Sequence, residues 1–263
     1  MLQKVVNKEL KKVKMWLDVN KLSLNIGKTN FVIFKSPKHS TQQTMNIKMG
    51  NQPIKKTCYV KFLGILLDEN LTWKYHLTEL SKKFARTCGM FFKVRHYFPI
   101  DVLIHLYNSL FSPFLQYGIL VWGATYETYM NPVFLLQKRV VRAMAFEHFT
   151  SPSNPIFCDL KILKLHDLFQ LKLLSFVYES VNKLSPTCFH AFFELAGHVH
   201  QYGTRQVENY DIFLTRKNTL QYGLRSVRYY GAKTWNQIPI GIKISSSVQT
   251  FRQKLKAFLF EKY

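Results

Sequence analysis

The 263 residues are 47% hydrophobic and 15% aromatic, enough for the core of one or two folded domains and too apolar for a disordered tail. Lysine and arginine number 37 against 15 aspartates and glutamates, and the net charge of +22 is more than solubility needs and points to a polyanionic partner. The basic residues lie on several segments rather than on one amphipathic helix, which favours nucleic acid over a membrane surface.

Leu2, Val5, Val6, Leu10, Val13, Trp16 and Leu17 recur at helical spacing, with Lys4, Lys8, Lys11, Lys12 and Lys14 outside the stripe, so residues 2–17 predict an amphipathic helix. No capping residue precedes Leu2, and the chain is expected to begin inside or at the edge of an element. Residues 20–34, "NKLSLNIGKTNFVIF", then place Gly27-Lys28-Thr29 in a polar interruption. A phosphate-binding P-loop would need a glycine five residues before the Gly-Lys pair, where Leu22 stands. After a polar loop at 35–44, β-like runs at 45–49 and 59–67, the second interrupted by Gly64, predict a small hairpin region. Asp68-Glu69 is the one adjacent carboxylate pair. A two-metal site needs carboxylates that fix two cations roughly 4 Å apart, and a solvated turn before a helix explains this pair better.

From Thr72 the pattern is helical: 72–95, 100–121, 133–146 behind Asn131-Pro132 as cap and first residue, and 167–183. "TSPSNP" at 150–155 reads as a break, and Ser245 to Ser247 supply a cap for a last helix. The expected fold is α+β turning mostly α. Residues 102–126 hold no Lys, Arg, Asp or Glu, yet Pro113 interrupts them and Leu103, Leu106, Leu110, Phe114 and Tyr117 follow a one-sided helical stripe, so a core helix is expected rather than a membrane span.

In the helix from Thr72, Trp73, Leu77, Leu80, Phe84 and Phe91 fall within about 30° of one direction at about 100° per residue. Lys82, Arg86 and Lys93 gather on the opposite side, and Lys138, Arg139 and Arg142 form a second basic group on the helix over 133–146. These ridges are read as lacking the interspersed glutamate of a neutral solvated face, which points to phosphate contact. Cys188, His190, His198 and His200 offer zinc-type atoms, but their spacing is no familiar zinc arrangement, and no metal site is expected. Cys58, Cys88, Cys158 and Cys188 lack Cys-x-x-Cys spacing and follow no signal peptide, so reduced thiols and an intracellular location, nuclear or cytoplasmic, are expected.

Taken in order, "WLDVNKLSLNIGKTNFVIF", "VKFLGILLDENLTWKYHL", "LYNSLFSPFLQYGILVWG", "LQKRVVRAM", "ILKLHDL", "HQYGTR" and "GAKTWNQIP" followed by "SSVQTFRQKLKAFL" resemble the C-terminal part of the reverse transcriptase of jockey-type non-LTR retrotransposons. The resemblance implies a palm remnant with motif D and a primer-grip hairpin at 1–70, a helical thumb at 71–150 and a basic, mainly helical C-terminal region at 151–263. It makes Lys28 the motif D lysine, a general-acid candidate that would protonate the departing pyrophosphate, and it makes Phe62-Leu63-Gly64 the primer grip. The partners it implies are an RNA/DNA template–primer duplex and the upstream palm, fingers and endonuclease domains of the parent polyprotein. The family's Ala-Asp-Asp signature, whose aspartates hold catalytic Mg²⁺, is not in this sequence. The expectation is an incomplete RNA-directed DNA polymerase that binds template and primer, carries no cofactor of its own and does not polymerise alone. Its rivals are a non-catalytic nucleic-acid-binding module and a membrane-associated protein acting through 102–126.

Overall fold

In the computed structural model, which describes residues 2–36, 45–199, 203–214, 217, 219 and 222–263, the first predicted helix forms as α1 (Leu2–Val19). Most of the polar loop before Met45, together with His200, Gln201 and Tyr202, lies outside the described residues. The helix stops where Lys21 turns left-handed (φ 54°) and the Leu22 N–H returns to the Leu17 carbonyl at 2.8 Å, which satisfies a carbonyl the helix leaves open. Its apolar stripe is only half used. Val6 and Leu10 pack on Ile47, Met49 and Ile54, while Leu2, Val5, Val13 and Trp16 remain exposed.

The strands that follow are short: β1 (Asn30–Phe31), β2 (Lys48–Met49), β3 (Gln52–Pro53), β4 (Lys55–Lys56), β5 (Tyr59–Phe62) and β6 (Ile65–Asp68). β1 pairs with β4 in parallel, and β2–β3 and β5–β6 are antiparallel. The run at 45–49 thus keeps two strand residues, and the run at 59–67 folds into a hairpin with Phe62 opposite Ile65 and Tyr59 opposite Asp68. The chain divides into two compact units, Met1–Thr78 and Glu79–Tyr263.

Asp68 closes the first unit's hairpin, and the reading of a solvated turn is corrected here. Its carboxylate is buried and accepts from the Asn70 N–H (3.2 Å), the Thr72 N–H and hydroxyl (3.0 and 3.1 Å) and the Trp73 N–H (2.7 Å). Two residues of this loop, Leu71 (φ 50°) and Trp73 (φ 64°), take left-handed backbone that side chains of their size disfavour. One acceptor satisfying four donors holds them there. Trp73 is therefore a loop residue, and the helix expected from Thr72 begins two residues later as α2 (Lys74–Val94).

In the second unit the predicted helix over 100–121 is three pieces, α3 (Ile100–Leu110), α4 (Ser112–Gln116) and α5 (Ile119–Trp122). Pro113 has no N–H to continue α3 and is accommodated in the first turn of α4, and Gly118 (φ 63°) reverses the chain before α5. The buried face is not the predicted stripe: Leu103, Tyr107, Phe111, Leu115, Ile119 and Trp122 are buried, whereas Leu110, Phe114 and Tyr117 are exposed, because the breaks at Pro113 and Gly118 reset the helical phase. The next helix, α6 (Glu127–Met144), begins ahead of the predicted Asn131-Pro132 cap, because the Tyr126 carbonyl accepts from Tyr129 and Met130 and completes a first turn upstream. Pro132 is carried inside α6.

Then follow α7 (Ser153–Asp159), α8 (Leu165–Val181), α9 (Ala196–Val199), α10 (Arg205–Glu208), α11 (Val227–Trp235), α12 (Ile240–Lys243) and α13 (Val248–Phe260). As predicted, Ser247 caps α13, its hydroxyl accepting from the Thr250 N–H at 3.1 Å. The core forms where α8 packs against α11 and α13, with Tyr178 stacked on Phe251 at 4.4 Å and Phe251 on Trp235 at 5.9 Å. The buried Gln137 amide joins three helices: its nitrogen donates to the Tyr107 hydroxyl and the Leu163 carbonyl (both 2.9 Å), and its oxygen accepts from the Leu165 N–H (2.8 Å). The architecture is α+β and mostly α, as the sequence pattern predicts. Replacing Asp68 with alanine leaves buried donors without an acceptor and is expected to lower stability by about 2–4 kcal/mol, with Asp68→Asn recovering part of the loss; urea unfolding of the three proteins checks this.

Candidate nucleic-acid interface

The period of α2 buries Leu80, Phe84, Cys88 and Phe91 and turns Lys82, Arg86 and Lys93 to solvent. Cys88, which the predicted stripe omitted, continues it at helical spacing. Burial pushes its thiol pKa up, against the opposing pull of the Arg139 charge. The ridge is not uniformly unpaired. Glu79 lies one turn before Lys82 and binds its ammonium at 2.7 Å, which corrects the expectation of a face without glutamate. Arg86 and Lys93 have no carboxylate partner among the described residues. Lys83, beside Arg86 and over the Phe114 ring, has its pKa lowered first by burial and then by the like charge of Arg86.

The second basic group divides by role. Arg139 is exposed with its guanidinium 5.3 Å from the centre of the Phe92 ring, and Lys138 is half-buried over Phe134. Arg142 donates from Nε to the Ser151 carbonyl at 2.8 Å and anchors the loop after α6. The two basic helices meet through an aromatic ring. Arg95, just past the end of α2, lies 5.2 Å from the centre of the same Phe92 ring and 5.2 Å from that of Phe146. Sequence reasoning singled out neither Arg95 nor Phe92. The dense "FFKVRHYF" stretch at 91–98 was the available signal, an aromatic–cation mixture rather than a bare charge run.

In the first unit Lys28 ends a short 3₁₀ turn, Ile26–Lys28. The Asn25 side chain accepts from the Lys28 N–H at 3.1 Å, and the Thr29 hydroxyl donates to the Asn25 carbonyl at 2.9 Å. The backbone is thus fixed on both sides of a lysine whose side chain is exposed. Phe62 ends β5, and Leu63 (φ 45°) and Gly64 (φ 85°) make the two-residue turn, both with positive φ as the twist of a tight hairpin requires. Phe62 and Leu63 put a large apolar surface at the tip. Asp68 and Glu69 do not fit a two-metal site, because Asp68 is engaged by its four donors and Glu69 forms an ion pair with Lys35 at 3.5 Å. No catalytic step through a metal follows from these residues. In the zinc-type set, His190 Nε2 bonds the Ser185 carbonyl at 2.6 Å, and His200 is outside the described residues.

Comparison with known proteins finds similarity to the RNA-directed DNA polymerases of mobile elements. The chain is 28% identical over 149 residues to the RNA-directed DNA polymerase from the mobile element jockey of Drosophila funebris, and 25% identical over 158 residues to its Drosophila melanogaster counterpart. It is 22% identical over 149 residues to a probable RNA-directed DNA polymerase from the X-element transposon of Drosophila melanogaster. These alignments take in 56–59% of this chain and 16–17% of the relatives' own length. The chain carries a jockey-type non-LTR reverse transcriptase region, as its ordered motifs imply. No family model and no solved structure matches it.

Proposed function

We propose that this chain acts as a template–primer-binding part of a non-LTR reverse transcriptase and does not polymerise DNA by itself. The observation that carries the reading is the pair of basic helices, α2 and α6, on which Arg86, Lys93 and Arg139 have no carboxylate partner among the described residues, in a chain related to RNA-directed DNA polymerases. A cation without a carboxylate partner is one that can displace counterions from a phosphate backbone. Lys28 is the general-acid candidate once a complete palm supplies the metal-binding aspartates, and its fixed backbone with an exposed ammonium suits proton delivery to a phosphate oxygen. Phe62, Leu63 and Gly64 are the primer-grip candidates, a protruding turn able to pack on the sugar at a strand end. The membrane reading of 102–126 is not favoured: that segment is three short helices, and among the described residues no helix is long and apolar enough to cross a membrane.

Contacts to about six to ten phosphates predict a fall of ~10³ to 10⁵ in duplex affinity between 50 and 200 mM salt. Charge reversal at Lys82, Arg86 and Lys93 together is expected to weaken duplex binding by about 1 kcal/mol or more regardless of sequence, with most of the effect from Arg86 and Lys93, since Glu79 already pairs with Lys82. Salt-independent binding, or reversal without effect, would remove these helices from the interface. For Lys28, the chain joined to an upstream palm is expected to polymerise more slowly as Lys28→Ala, with duplex affinity unchanged; an unaltered single-turnover rate would clear Lys28 of the acid role.

A further inference from the structure

Where the ends of α2 and α6 meet, Arg139, Phe92, Arg95, Phe146 and His96 form a continuous chain of ring and guanidinium contacts. Arg139 and Arg95 both lie over Phe92, Arg95 also lies over Phe146, and the His96 ring meets Phe146 edge-on at 5.3 Å. Arg95 further donates to His96 Nε2 at 3.3 Å. The arrangement fixes a flexible arginine between two rings. Neither Arg95 nor Arg139 pairs with a carboxylate among the described residues, and the nearest acid in sequence to Phe146, Glu147, accepts from the Ser151 hydroxyl at 2.8 Å.

Phe146 itself is anomalous on two counts. It is 54% exposed, so burial does not account for a large apolar ring here. It also takes a left-handed backbone, φ 59°, at the position where α6 terminates in a Schellman turn, with the Glu147 N–H returning to the Arg142 carbonyl at 2.9 Å and the Phe146 N–H to the Ala143 carbonyl at 3.4 Å. That position favours glycine, and a phenylalanine there is disfavoured by its own β-carbon. A strained, exposed aromatic flanked by pre-positioned cations is the arrangement expected of a recognition element rather than of packing.

We infer that Phe146, with Arg95 and Arg139 beside it, is a stacking site for an unpaired base of single-stranded nucleic acid. A duplex keeps its base faces covered by neighbouring pairs, whereas a single strand offers a free π-face to the ring and its phosphates to the two guanidiniums. The site rests on the nucleic-acid reading of α2 and α6 and adds to it a requirement for bases, which phosphate contact alone does not impose.

The test compares the full chain's affinity for three probes at one salt concentration: an oligothymidylate, an abasic strand of the same length, and a duplex. The chain is expected to prefer the oligothymidylate over the abasic strand by about tenfold, the scale of stacking one base on an aromatic side chain. Phe146→Gly should abolish that preference and leave duplex affinity unchanged. Since glycine is the residue the Schellman turn favours, this variant should melt at or above the temperature of the parent, which separates loss of stacking from loss of fold. Phe146→Trp should keep the preference. Equal affinity of the parent chain for the base-bearing and abasic strands, or a preference that survives in Phe146→Gly, would overturn the stacking site while duplex binding stands. Failure to bind any of the three probes would overturn the stacking site and the nucleic-acid reading together.

Discussion

With 37 lysines and arginines and 15 aspartates and glutamates, complete pairing would still leave 22 cations without a carboxylate. Several of the acids are already engaged with other groups of the chain. Asp68 organises the loop before α2, Asp211 neutralises the buried Lys243 at 2.7 Å, Glu179 binds Arg252, Glu127 meets His166, and Glu79 holds Lys82. Among the described residues, Arg86, Lys93 and Arg139 keep their charge on exposed positions without a carboxylate partner. Like charges at such density work against the compact state, and a polyanion relieves that repulsion more effectively than any rearrangement of the chain.

Within this constraint, the features of the candidate interface fall into two kinds. Arg86, Lys93 and Arg139 are exposed and have no carboxylate partner among the described residues, whereas Arg142 is held by the loop it anchors and Lys82 by its glutamate. Both kinds look alike as letters in a sequence. In the first unit, the exposed Lys28 and the hairpin tip at Leu63-Gly64 rest on backbones fixed by local hydrogen bonds, an Asn25 side chain in one case and a strand pair in the other. The relatives named as RNA-directed DNA polymerases give these scattered features a common context that the geometry alone does not provide.

How far the sequence could be read depended on whether a feature was periodic. The buried stripe of α2 was legible from Leu77 onward because one helix generates it, and Ser247 was legible as a cap because a hydroxyl before an apolar run has a local partner. Trp73 was misplaced because the buried Asp68 carboxylate in the same loop overrides the preference of its own backbone, a contact with no helical period. The stretch 100–121 read as one helix because its apolar spacing persists across the breaks at Pro113 and Gly118. At Asn131-Pro132 the helix begins earlier, since a proline in the second turn did not stop it. The joining of α2 and α6 through Phe92 has no period at all: Arg95 and Arg139 are distant in sequence and become neighbours only when the helices pack.

On the proposed reading, the cations of α2 and α6, rather than the chain's positive charge at large, meet the nucleic acid. Lysine acylation footprinting of the full chain, with and without a saturating duplex, tests it most directly. Lys82, Lys93 and Lys138 are expected to lose reactivity in the complex while the exposed Lys256 and Lys262 near the C-terminus keep theirs. Protection spread evenly over all lysines, or confined to Lys256 and Lys262, would contradict it.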